Sequence, residues 1–128
     1  MEFIPTPISG LYSIKPQVFS DERGYFYESY NKEEFDNVGI STNFVQDNQS
    51  LSHKGTLRGL HAQAPPFAQG KLVRVIQGEV LDVVVDIRKE SPTYGQQFCI
   101  HLNGENKTML WIPPGFLHGF ITLANDTI

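Results

Sequence analysis

The chain has 128 residues, 40% of them apolar and 19% charged, a composition that suits one domain with a real core and excludes a disordered chain. A formal net charge of −4 gives no drive toward nucleic acid or an anionic membrane, so any cationic function must be a local cluster. The single cysteine, Cys99, excludes an internal disulfide and suits a reducing compartment. "MEFIPTPISG" lacks the basic start and apolar run of a signal peptide, and no apolar stretch approaches spanning length; the expectation is a soluble, cytoplasmic protein.

In chain order, "GLYSIKP" and "GYFYESYN" read as short aromatic-rich strands broken by the turn-like "SDERG". "NKEEFDNVG" predicts the one helix, with Asn31 as N-cap, acidic residues in the first turn and Gly39 at the stop. "NFVQDNQSLS" and "GTLRGLHAQ" read as further strands. "KLVRVIQGEVLDVVVDIR" reads as a strand pair joined by a tight hairpin at Gln77-Gly78. "QFCIHLN" and "TMLWI" read as another pair around "GEN", and "HGFITLAN" is the last run. Strands so closely spaced predict one all-β domain over residues 1–128, a sandwich or jelly-roll barrel with one short helix.

Within these strands Arg58, His61, Lys71 and Arg74 are unexpected, because charged groups are rarely buried without a partner. Strict alternation puts Arg58 and His61 on opposite faces, and Gly59 permits a bulge that would re-aim one of them. In "VLDVVVDIR", Asp82, Val84 and Asp86 share a face, which places an aspartate near the interior within reach of a histidine or lysine. Pro113, Gly115 and His118 have the Pro-x-Gly-x-x-His spacing that resembles the second cupin motif. The stretch standing for the first motif reads His61-Ala62-Gln63 with Gln69 and Lys71 downstream, a poor cage for a cation, so a metal-independent site is expected. Without a metal, a histidine can remove a proton, a lysine can stabilise an oxyanion, and arginines can take a phosphate. Together they point to proton abstraction beside a carbonyl on a phosphorylated small molecule.

The stretches "VFSDERGYFYESYN", "FVQDNQSLSHKGTLRGLHAQ", "PPFAQGKLVRVIQGEVLDVVVDIRKESPTYG" and "WIPPGFLHGF" resemble, in order, the dTDP-4-dehydrorhamnose 3,5-epimerase family, metal-free cupins that act on deoxysugar nucleotides. The resemblance implies that His61 is the general base and that Lys71 stabilises the enolate. It implies that Arg23, Glu28, Gln46, Asp47, Asn48, Arg58 and His118 contact the nucleotide sugar, and that Phe19 and Phe26 help to hold the nucleotide. It also implies a homodimer built through N-terminal strands, a dTDP-4-keto-6-deoxy sugar substrate, no cofactor or metal, and no nucleic-acid or membrane partner. Two departures stand out. Ala62 follows the histidine of "RGLH" where a tyrosine is typical, and family members continue past the equivalent of Ile128 into a stretch that carries the general-acid tyrosine and the aspartate that orients the histidine. Asp82 or Asp86 is the candidate substitute for that carboxylate. An active 3,5-epimerase, a single-carbon epimerase, a binding-only relative and a metal-dependent cupin enzyme remain distinct readings.

Other residues have plainer readings. Arg23 is equally an exposed turn residue paired with Asp21 or Glu22, and His53 and His101 read as surface or strand positions. Cys99, in an apolar strand, reads as a small buried hydrophobe.

Overall fold

The alternation along "EVLDVVVD" decides how the longest strand faces: Val80, Asp82, Val84 and Asp86 are buried and the intervening residues only half-buried. The computed structural model describes residues 1–128. Its elements are β1 (Glu2–Pro5), β2 (Tyr12–Lys15), β3 (Val18–Asp21), β4 (Gly24–Tyr27), α1 (Lys32–Asn37), β5 (Leu57–His61), β6 (Lys71–Arg74), β7 (Glu79–Asp86), β8 (Gln97–Asn103), β9 (Met109–Ile112) and β10 (Phe116–Thr122). Two antiparallel four-stranded sheets, ordered β1-β2-β9-β6 and β5-β10-β7-β8, form the barrel, and β3 and β4 make a separate hairpin. The architecture is the expected all-β, cupin-like one. No helix is long and apolar enough to cross a membrane.

Between the sheets, Val80, Val84, Leu102 and Phe116 pack against Leu11, Val75, Leu110 and Ile112. The other face of the first sheet is covered too: Ile14, Met109 and Trp111 pack against Phe35 of α1 and Ile40. That explains why "MLWI" carries no polar position, since β9 is buried on both sides. The helix is as expected. Asn31 accepts from the backbone N–H groups of Glu33 and Glu34, and Gly39 turns the chain out of the helix at φ +83°.

Several expected pairings are wrong. Gln77-Gly78 is not a hairpin: β6 pairs with β9, and β7 pairs with β10 and β8, so the turn carries the chain from one sheet to the other. The strands cannot pair there because the backbone at the turn is already engaged. Ile128 accepts from the N–H of Ile76 and donates to the carbonyl of Gln77. Likewise "QFCIHLN" and "TMLWI" are not partners, because β8 lies at the outer edge of one sheet and β9 in the middle of the other. "NFVQDNQSLS" forms no strand. Phe44 turns onto Trp111 and Tyr30, Ser52 makes an isolated bridge to Thr127, and the polar stretch between them loops across the surface. The sequence reading omits β1, which pairs with β2. Cys99 is exposed, contrary to expectation, because β8 turns Phe98, Ile100 and Leu102 toward the core and Cys99 away from it.

Candidate functional site

Strand β10 carries the centre of the site. His118 lies opposite Val84 of β7 on one side and His61 of β5 on the other. It is only 7% exposed, and its Nε2 lies 2.8 Å from Oδ2 of Asp82, which is fully buried on β7. The sequence reading offers Asp82 as the carboxylate that orients His61; the structure gives it to His118 instead. The register explains this, since β7 adjoins β10 and β5 lies one strand further out. The second carboxylate oxygen, Oδ1, is buried with no hydrogen-bond partner. Burial pushes the Asp82 carboxyl up, while the bond to His118 and the charges of His118 and Lys71 oppose that rise.

Lys71, half-buried on β6, approaches from the other sheet. Burial lowers its ammonium below the ordinary lysine value, and the Asp82 charge pulls it partly back. His61 stays accessible at the end of β5. What burial it has, followed by the charges of Lys71 and His118, holds it below the ordinary histidine value, which keeps the imidazole neutral and basic near pH 7.

The bulge foreseen at Gly59 is present. His61 pairs with His118 and Arg58 with Phe120, so three steps along β5 match two along β10, and Gly59 has φ +93°. The guanidinium Nε of Arg58 donates to Ser52 Oγ at 3.1 Å.

A cleft of about 410 Å³ opens beside this centre, with Asp47, Asn48, Arg74, Asp82, His118 and Phe120 in its wall. Gln46 reaches it indirectly, donating to Asn48 Oδ1 at 3.0 Å. His61 and Lys71 lie just outside the wall, next to His118 and Leu72 respectively. Arg74, singled out in the sequence only among the unexpected strand charges suited to a phosphate, is a wall residue. Its signal was only that of a charge in an apolar strand.

The remaining expected residues are not brought to this centre within the chain. Phe19, Arg23 and Phe26 sit on the β3–β4 hairpin, whose strands pair only with each other. Arg23 folds back on Asp21, with Nη2 to Oδ2 at 2.5 Å, and 85% of its side chain is exposed; this is the plainer of its two readings. Glu28 accepts from the Asn31 side chain at 2.9 Å, beside the helix start. His101 meets Glu79 on the surface. No group of three or more histidine, cysteine, aspartate or glutamate side chains converges as a cation cage.

A cupin-like barrel that gathers two imidazoles, an ammonium and a buried carboxylate beside one cleft has the groups that can move protons on a small molecule. The family model described as dTDP-4-dehydrorhamnose 3,5-epimerase matches residues 5–128, and the chain belongs to that family. It is 54% identical over 127 residues to the dTDP-4-dehydrorhamnose 3,5-epimerase of Shigella flexneri, covering 98% of this chain and 70% of that one. The Salmonella typhimurium epimerase is 56% identical over 125 residues, with 97% and 68% covered. Among solved structures, the Bacillus anthracis epimerase with TDP and PPi bound superposes with TM-score 0.96 at 46% identity, covering 98% of this chain and 73% of that one. The Legionella pneumophila epimerase in complex with dTDP-4-keto-L-rhamnose superposes with TM-score 0.94 at 51% identity, covering 98% and 67%.

Proposed function

We propose that this chain is a dTDP-4-dehydrorhamnose 3,5-epimerase that inverts C3 and C5 of dTDP-4-keto-6-deoxyglucose in deoxysugar biosynthesis, acting in the cytoplasm. The C4 carbonyl acidifies the protons on both neighbouring carbons. His61 takes such a proton, and the electron pair left on carbon moves into the ring as an enolate whose oxygen Lys71 stabilises. A water molecule on the opposite face returns a proton to the carbon, His61 releases the proton it took to solvent, and the centre is inverted as the carbonyl reforms. Only protons move, so the reaction needs no redox partner. Arg58 and the Gln46, Asp47 and Asn48 run serve the nucleotide sugar, and His118, fixed by Asp82, stands in the cleft wall.

A single observation carries this reading. A histidine and a lysine, both held below their ordinary pKa values, flank an Asp82–His118 pair at the end of a cleft. Phe19, Arg23 and Phe26 reach a site through a second copy of the chain, which makes the working unit a homodimer; their exposure on an isolated hairpin supports this.

The test is NMR of dTDP-4-keto-6-deoxyglucose incubated with the protein in deuterated water. Deuterium at C3 and C5 with inverted configuration is the expected result. His61→Asn is expected to slow that exchange by about 10²- to 10⁴-fold, the usual worth of a general base. Exchange at one carbon would make the protein a single-carbon epimerase. Absence of exchange with dTDP still bound would leave a binding protein and overturn the reading.

A further inference from the structure

We propose that Gly59 and Gly119 act together as positioning residues, the contact between their two bare backbones setting His61 against the Asp82–His118 pair. The proposal rests on the reading of His61 as the base. Regular alternation along β5 would send the side chains of Arg58 and His61 to opposite faces. The extra residue on β5 removes that conflict only if the bulged backbone can lie down on β10. Both strands are glycine at the point of contact. A Cβ on Gly59 would stand 2.5 Å from the His118 carbonyl oxygen, 2.9 Å from the Gly119 Cα and 3.1 Å from Nδ1 of His61 itself. A Cβ on Gly119 would stand 2.6 Å from the Arg58 carbonyl oxygen and 3.2 Å from Cδ2 of Leu60. In both cases the nearest atom is backbone oxygen, which cannot swing aside.

The two positions differ in a way that makes the idea testable. Gly59 has left-handed φ, so any side chain there is strained whatever the space. Gly119 has no left-handed backbone, so space alone forbids a side chain. Alanine at Gly119 therefore pushes β5 away from β10 without demanding a new conformation of β10. His118 keeps its anchor on Asp82, while His61 moves away from its neighbours, His118 on β10 and Lys71 on β6.

The experiment is Gly119→Ala in the full chain, with NMR titration of the His61 imidazole in the absence of substrate and steady-state kinetics with it. Leu102→Val, a core change on β8 away from the site, controls for lost stability. Gly119→Ala is expected to lower kcat on the order of 100-fold, as a misplacement of about 1 Å does, with KM little changed. His61 is expected to titrate closer to its ordinary value than in the parent, and Leu102→Val to move neither quantity. The Leu60→Ala, Gly119→Ala double variant keeps the backbone conflict and removes the side-chain one; it carries the same expectation if the single variant folds poorly. His61 titrating as in the parent in a folded Gly119→Ala variant would overturn the proposal. A parent that exchanges no deuterium would instead sink the reading of His61 as base, and the titration would still decide what places the imidazole.

Discussion

Asp82 stands where an imidazole and an ammonium make demands on one buried carboxylate. Its Oδ2 is taken by His118, its Oδ1 has no protein partner, and its charge raises the pKa of a lysine that burial lowers. The sign of the pH dependence follows. Lys71 stabilises an enolate only while protonated, so the alkaline limb of kcat/KM should have its midpoint below the ordinary lysine value. His61 accepts a proton only while neutral, so the acid limb should fall below the ordinary histidine value. Asp82→Asn keeps an acceptor for His118 but removes the charge. It should move the alkaline limb to lower pH and leave the acid limb, set by His61, in place; a pH–rate profile in which the alkaline limb stays put would contradict this. These residues were legible in the sequence as members of motifs and as one face of an alternating strand. Which histidine Asp82 serves was not, because alternation gives the face of a strand and says nothing of the neighbour beside it.

The connection from β7 to β8 is held by one buried side chain. Asp86 accepts from the N–H and guanidinium of Arg88 and from the hydroxyls of Ser91 and Thr93, and Arg88 in turn lies 4.6 Å over the Phe116 ring. Its carboxyl is held far below the ordinary range, first by the Arg88 bond, with the two hydroxyls adding to it. A carboxyl depressed on folding contributes stability above its unfolded pKa, and that contribution fades as the pH falls through the folded value. Asp86→Ala should cost about 1–3 kcal/mol, since it leaves the Ser91 and Thr93 hydroxyls and the Arg88 N–H groups without their acceptor while the Arg88 guanidinium can still reach water. Urea unfolding at about pH 7 should show the loss, and the gap between Asp86→Asn and the parent should narrow toward about pH 2. A gap that stays constant with pH would mean that the Asp86 charge plays no part. At this scale the helix was readable, because Asn31 and Gly39 act within a few residues of chain. The strand partners were not. "VIQGEV" has every local mark of a hairpin, and only Ile128, far along the chain, shows where its backbone bonds go.

For the molecule as a whole, the β3–β4 hairpin is the exposed feature. Phe19 is 57% and Phe26 70% exposed on it, while Tyr25, next to the turn, meets the Lys107 ammonium 4.0 Å from its ring. An aromatic hairpin with free edges is the kind of surface that the proposed homodimer would cover. On the proposed homodimer, Phe26→Asp should shift the protein from dimer to monomer in sedimentation and weaken dTDP binding together; a parent that sediments as a monomer, or a variant that stays dimeric, would remove the hairpin from any such interface. The all-β class was legible at this scale because it depends on the density of short strands and turns, whereas the two-sheet arrangement depends on closures across most of the chain. That arrangement has a consequence for synthesis. In each sheet one inner strand, β9 in the first and β10 in the second, leaves the ribosome after both of the strands it joins. Until Ile112 has emerged, only the local pairs β1–β2, β3–β4 and β7–β8 and the short helix can form, and the second sheet must wait further for β10. Closing the sheets late, across long stretches of chain, makes for slow folding. During that interval the apolar strands already made have nothing to pack against, and the nascent chain is a natural client for whatever shelters unfinished polypeptides.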